Sequence, residues 1–416
     1  MKRHEEYKDT GVKWISVIPN NWSEIRFKYA LSMITTKSTS NVKIGLENIE
    51  SYSAKYIPTD SVYEGNGIEA KQGDILYGKL RPYLAKVLLA ECNYNAVGDF
   101  YVFRCNKSLC KAKYAKWFML SDGFTKICSA STYGAKMPRV SSDFINSLYI
   151  PLPPLAEQEK IVSFLESKTL CIDAYVAERE RELQLLNELK ESEIANIITR
   201  GLNPDVKMKD SRIPWLDSIP EHWGEERAKY LFNRENRPIS DEDDIITCFR
   251  DGQVTLRKNR RTTGFTESFK ECGYQGIRKG DLVIHQMDAF AGSVGISDSD
   301  GKGTPVYIVC TPKRDDVFNP YFALVIREMG LNGYIQSLYR GIRERSSDFK
   351  FDVFRQQCLP LPPIEEQIAI VSHIEGKVKK VNSLINELEA EIEYLKEYKQ
   401  KLIADCVTGQ IDVRNI

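Results

Sequence analysis

The chain repeats itself. Trp14, Ile18, Pro19, Trp22, Lys28 and Tyr29 return as Trp215, Ile219, Pro220, Trp223, Lys229 and Tyr230, a shift of 201 positions. Gly73-Asp74-Ile75-Leu76 returns as Gly280-Asp281-Leu282-Val283 at a shift of 207, and Tyr114 and Gly134 meet Tyr321 and Gly341 at the same shift. Pro151-Leu152-Pro153-Pro154 returns as Pro360-Leu361-Pro362-Pro363 at 209, where Glu157, Gln158, Ile161 and Val162 meet Glu366, Gln367, Ile370 and Val371. Self-similarity of this kind means that one folding unit is used twice. The two copies start alike and end alike but differ in the middle. A duplication kept only for stability leaves that pattern unexplained; one scaffold holding two different contact surfaces accounts for it. At 416 residues the chain is also too long for a single hydrophobic core.

Each proline run must lie at or before a helix start, because proline is tolerated in the first turn but not in the interior. Beyond the second run, Val371, Ile374, Val378, Val381, Ile385, Leu388, Ile392 and Leu395 alternate steps of three and four, the a/d stripe of a coiled coil. Beyond the first, Val162, Leu165, Thr169, Ile172, Val176, Leu183 and Leu186 form a poorer stripe that Arg179 interrupts. Neither stripe can be left in water, and each is the other's nearest candidate partner, in either direction. A helix of about 30 residues spans roughly 45 Å, and one turn of DNA roughly 34–36 Å. The spacing divides the chain into globular regions 1–150 and 203–357 and helical regions 151–202 and 358–416.

The middles read as mixed α/β. Strand-like runs occur at Asp74–Leu80, Phe100–Arg104, Asp281–Gln286 and Val306–Cys310, and helix-like ones at Tyr114–Leu120 and Tyr321–Glu328. Basic and aromatic residues interleave in several stretches. In the first middle the candidates for a nucleic-acid surface are Tyr77, Lys79 and Arg81, then Tyr133, Lys136 and Arg139. In the second they are Arg250, Gln253, Arg257, Lys258, Arg260, Arg261 and Gln286, then Tyr339, Arg340, Arg343 and Arg345. Lys and Arg neutralise phosphates, while Arg on guanine and Asn or Gln on adenine choose sequence. A single basic run is more often plain solvated surface; the matched placement of Lys136 and Arg343, just before each proline run, raises them above that reading.

Lysines plus arginines balance aspartates plus glutamates, 58 against 58. The balance conceals an acidic helical part and a mildly basic remainder: 151–200 holds six basic and ten acidic residues, and 360–400 five and eight. No phosphate-binding Gly-rich loop of the G-x-x-x-x-G-K-[ST] type is present, and neither Pro-Pro pair has the flanks adenine methyltransferases use. The ten cysteines are scattered without a C-x-x-C pair, and the four histidines lie far apart in sequence. No catalytic or metal-ligating residue is assigned. Scattered thiols and the lack of a membrane-length apolar run point to a cytoplasmic protein without membrane contact.

The tandem Trp…Ile-Pro…Trp starts, the Pro-Leu-Pro-Pro-Leu-Ala-Glu-Gln and Pro-Leu-Pro-Pro-Ile-Glu-Glu-Gln runs, and the exits Ile198-Thr199-Arg200-Gly201-Leu202 and Val407-Thr408-Gly409-Gln410-Ile411-Asp412 resemble the specificity subunits of type I restriction-modification systems over almost the whole chain. The resemblance implies an α+β fold: two mixed α/β target-recognition domains separated by long helices that form an intramolecular antiparallel coiled coil, a pseudo-twofold repeat. It implies a non-catalytic subunit that binds double-stranded DNA, each domain reading half of a split asymmetric site. Two methyltransferase subunits would dock on the helices, and motor-nuclease subunits would join. S-adenosylmethionine and ATP with Mg would be bound by those partners, with no cofactor in this chain. The alternative is a coiled-coil adaptor that recruits proteins without reading DNA.

Overall fold

The computed structural model describes residues 2–12, 14–260, 273–338 and 349–414. The chain forms two compact units, Met1–Glu182 with Glu387–Ile416, and Leu183–Asn386. The sequence-based boundaries at the helix starts are therefore not the boundaries of compactness: each unit takes one globular domain together with part of both long helices.

In the first unit the central sheet contains β1 (Leu31–Ile34), β2 (Ile75–Gly78), β3 (Val87–Leu89) and β4 (Phe100–Cys105). Its antiparallel order is β1-β4-β2-β3. In the second unit β5 (Phe232–Glu235), β6 (Leu282–His285), β7 (Val294–Ile296) and β8 (Tyr307–Pro312) repeat that order as β5-β8-β6-β7. The central strands are rich in aromatic and branched residues, which suit a pleated surface buried on both faces. A helix at Ala112–Leu120, or Asn319–Leu331 in the second unit, completes the core with Tyr114, Phe118, Tyr321 and Phe322 fully buried. The repeated Gly-Asp turn has a local cause. Gly73 and Gly280 take positive φ (+88° and +90°). The following Asp74 and Asp281 accept from the amides of Lys71 (2.8 Å) and Arg278 (2.7 Å). An arginine neutralises each buried carboxylate, but from a different place: Arg104 on β4 for Asp74, and Arg237, two residues beyond β5, for Asp281.

The proline runs become strands before they become helices. Tyr149–Leu152 pairs antiparallel with Ser23–Arg26, and Cys358–Leu361 with Gly224–Arg227. Helix α1 (Leu155–Arg200) and helix α2 (Ile364–Val407) start directly after the last proline of each run, Pro154 and Pro363. The repeated Glu-Gln pair then fastens helix to domain. The Trp22 indole N–H donates to Glu157 (3.0 Å), and that of Trp223 to Glu366 (3.0 Å). Gln158 is wholly buried; it accepts from the Lys111 amide (2.8 Å) and donates to the carbonyls of Leu109 and Pro153 (2.9 Å each). Gln367 does the same with Phe318, Asp316 and Pro362. The opposite helix ends in the same place: the Tyr114 hydroxyl donates to the Val407 carbonyl (3.1 Å), and that of Tyr321 to Ile198 (2.9 Å). Gly201 and Gly409, at φ +80° and +74°, end the helices in the left-handed turn that glycine favours.

Within each unit the two helices run antiparallel. In the first, Asp173 meets Lys399 (2.5 Å) and Glu180 meets Lys396 (3.1 Å). In the second, Glu193 meets Lys377 (3.0 Å) and Lys190 meets Asn382 (3.2 Å). The a/d residues are buried or half-buried, and Glu387, Glu389 and Glu393 between them are exposed. The two irregular positions of the first stripe are accommodated locally. Thr169 returns its hydroxyl to the Leu165 carbonyl (2.6 Å). Arg179 lies over the Tyr175 ring, donates to its hydroxyl (2.8 Å) and stands 3.7 Å from Glu391.

Gln158→Leu removes a wholly buried carboxamide and with it the partner of one amide and two carbonyls, so it should destabilise the protein by about 3 kcal/mol in urea unfolding. Glu159→Gln, on the exposed side of the same turn, should shift stability by less than about 1 kcal/mol. Equal effects would mean that the buried amide does not fasten the junction.

Candidate nucleic-acid interface

In the first unit the fold brings together two basic stretches that lie far apart in sequence. The segment after β2 runs beside residues 133–139: Leu80 and Tyr133 each bridge to Arg139, and the Arg81 amide donates to the Pro138 carbonyl (2.8 Å). On this ledge Arg139 grips Asp99 with two hydrogen bonds (3.0 and 2.8 Å), which hold that carboxyl below the usual carboxylate range. Lys79 stands 3.7 Å from the same Asp99 and over the Tyr101 ring. Arg81, Lys136 and Tyr133 are exposed. Among the described residues, neither Arg81 nor Lys136 has a carboxylate partner, so both charges face solvent.

Tyr77 is a correction. It is 1% exposed and meets Phe124 edge-on at 5.8 Å, inside the core. Burial pushes its hydroxyl well above the usual phenol range. It lies on a central strand with helix cover, so its ring has no surface to offer a ligand. Sequence interleaving of aromatic and basic residues could not separate it from Tyr83, two residues beyond Arg81, which is exposed.

The backbone here is unusual. Among the described residues the non-glycines with positive φ are Tyr52 (60°), Ala54 (56°), Arg81 (50°) and Ala85 (44°). They adjoin one another: the Tyr52 amide donates to the Ala85 carbonyl (3.3 Å), and its hydroxyl to the Tyr83 carbonyl. Each such residue costs on the order of 1–2 kcal/mol, and such strain gathers at functional sites. Tyr52 and Ala54 carried no signal in the sequence, since positive φ at non-glycine positions comes from tertiary packing.

The second unit presents a ledge of another character. Arg260 lies over Phe249 (4.3 Å) and pairs with Asp251 (2.6 Å), Arg250 pairs with Asp288 (3.0 Å), and Lys258 with Asp244 (2.5 Å). Arg257 is half-buried, with its Nε 3.5 Å from the Thr247 hydroxyl. Gln253 is exposed, and the Gln286 amide donates to the Pro305 carbonyl (3.3 Å). The guanidinium groups thus come with carboxylates attached, an acidic complement that counting basic residues overlooked. Arg261, Tyr339, Arg340, Arg343 and Arg345 lie outside the described residues. The described cysteines are free thiols, and among the described residues no helix is long and apolar enough to cross a membrane.

The chain is thus one frame used twice, with a different polar ledge on each copy. Comparison with known proteins shows what the chain is similar to. Residues 17–184 match the type I restriction modification DNA specificity domain. The chain is 27% identical to the type I restriction enzyme EcoDI specificity subunit of Escherichia coli over 210 residues, 47% of each chain. This match thus spans about half the length of that relative. It is 23% identical to the EcoBI specificity subunit of the same organism over 335 residues, 74% of this chain and 69% of that one. A chain solved in work on complex assembly and conformational transition of the type I R-M system shares the fold, with a TM-score of 0.72 at 18% identity, covering 95% of this chain and 99% of that one. The first globular region and the start of the first long helix thus match a type I DNA specificity domain, and the chain is similar over most of its length to specificity subunits of type I restriction enzymes.

The strain has a stability consequence. Ala85→Gly should stabilise the protein by up to about 1 kcal/mol, because glycine accepts φ +44° without penalty. Gly292, at φ +85°, occupies the matching place in the second copy, and a Cβ there would lie 2.9 Å from the Arg250 carbonyl and 3.1 Å from Leu331. Gly292→Ala should therefore cost about 2 kcal/mol. Thermal or urea unfolding that moves in the opposite direction for either variant would refute the strain.

Proposed function

We propose that this chain is the DNA-recognition subunit of a type I restriction-modification complex, with each globular domain reading half of a split, asymmetric duplex site. The observation that carries the reading is the combination of a duplicated frame with unlike exposed ledges: Arg81, Tyr83, Tyr133 and Lys136 on one copy, Arg250, Gln253 and Arg260 on the other. Cations at such ledges neutralise phosphates, and their neighbours select bases. The chain itself is non-catalytic; methyl transfer from S-adenosylmethionine and ATP-driven restriction belong to partner subunits. The helices dock two methyltransferase subunits and fix the unread spacer. Leu170, Leu185, Leu189, Leu384 and Tyr394, apolar side chains left exposed on the helices' outer faces, support protein docking there.

Methylome sequencing of a host with and without this chain, in the presence of its methyltransferase partner, tests the proposal. A bipartite methylated motif appearing only with the chain is expected; methylation unaltered by its removal would favour an adaptor that does not read DNA. Deleting one heptad from each helix, between the Arg179–Glu391 and Lys190–Asn382 contacts, removes about 10 Å of rise. The accepted spacer should shorten by roughly three base pairs, at about 3.4 Å each, or modification should be lost. Unchanged modification of the original site would refute the spacer role.

A further inference from the structure

The segment joining the second and third strands of each four-stranded sheet is one device built twice. It covers residues 79–86 between β2 and β3, and 286–293 between β6 and β7. Its backbone anchors correspond one to one. The Lys79 amide donates to the Asp99 carbonyl (2.9 Å), and the Gln286 amide to Val306 (3.0 Å). The Lys79 carbonyl accepts from the Val140 amide, and that of Gln286 from Phe349, 3.1 Å in both. Each segment holds one 3-10 turn, Pro82–Leu84 and Ala289–Ala291, closed by a residue in the left-handed region, Ala85 (φ 44°) and Gly292 (φ 85°). The residue that opens the turn differs in charge: Arg81 in the first copy, Asp288 in the second. The opening residue differs in backbone as well, left-handed at Arg81 (φ 50°) but not at Asp288 (φ -114°), while the anchors and the 3-10 turn that follow stay the same.

Both side chains are available to a ligand. Arg81 is exposed and has no side-chain partner among the described residues. Asp288 spends Oδ1 on Arg250, and its Oδ2 makes no hydrogen bond among the described residues. A guanidinium offers only donors, and it matches the paired acceptors on the major-groove edge of guanine. An ionised carboxylate offers only acceptors, and it matches an exocyclic amino group, as on cytosine or adenine.

Resting on the DNA-reading function proposed above, we infer that this turn is the specificity-determining element of both halves, and that its two copies read opposite hydrogen-bond patterns. Arg81 selects a base edge that accepts, and Asp288 selects one that carries an amino group. Adjacent cations, Lys136 and Arg250 among them, set affinity and not sequence.

The test compares methylomes of hosts carrying the full complex with unaltered chain, Arg81→Gln or Asp288→Asn. Arg81→Gln should lower discrimination about tenfold or more at one position of one half-site, a guanine in the unaltered motif, and leave the other half intact. Asp288→Asn should do the same at one cytosine or adenine of the opposite half. Unchanged motifs with either variant, or relaxation of both halves by one variant, would overturn the inference. A parallel measurement needs no variant: hydrogen exchange of the unaltered complex with and without duplex carrying its own motif. Protection at 79–86 and 286–293 is expected, and its absence at either segment overturns the inference even where a variant fails to assemble. Absence of any motif with the unaltered chain would instead sink the DNA-reading function itself.

Discussion

Everything in this molecule hangs on two buried glutamines. Gln158 and Gln367 each use one carboxamide to satisfy three backbone groups where a strand, a loop and a helix start converge. A buried polar group pairs or pays heavily, so a site that needs one acceptor and two donors is met by an amide and by few other side chains. The neighbouring glutamates take the indole N–H groups of Trp22 and Trp223, and the core tyrosines Tyr114 and Tyr321 bond the carbonyls at the far helix ends. The result is a junction in which domain, helix start and helix exit are fastened by directional bonds. Hydrophobic burial drives the assembly, but it is non-directional; these bonds supply the geometry.

That division explains how one frame tolerates two faces. Positions that hold the sheet together return in both copies, while positions around the sheet's open turns do not. Even the arginine that neutralises the buried aspartate comes from a different place in each copy, a strand in the first and the segment after a strand in the second. The helices show a similar economy: a threonine and an arginine sit in the first stripe without breaking it, because one bonds back to its own helix and the other lies across a tyrosine facing Glu391.

Much of the frame was legible in the sequence. The heptads after each proline run gave both long helices, and the strand-like runs around Ile75, Phe100, Leu282 and Val309 coincide with the central strands. Short edge strands such as Leu31–Ile34 and Val87–Leu89 escaped, since three or four residues carry no readable period. The compact units escaped as well, because nothing in a heptad stripe marks where one helix passes from one globular neighbour to the next. The ledges were half legible. Arg81, Lys136 and Arg139 do share one surface, but Tyr77 is interior, and Asp99 and Asp288, which set the charge around the cations, had no motif to announce them. Asp288 could have been found by carrying the 207-residue shift through to Arg81.

The central claim is that the frame is fixed and the faces are interchangeable. The most direct measurement is the methylome of a host whose chain carries residues 2–148 in place of their counterparts 203–357, alongside its methyltransferase partner. Two identical readers should turn the asymmetric bipartite motif into an inverted repeat of its first half. Retention of the original second half would contradict the account, because the base choice would then come from outside the globular domains.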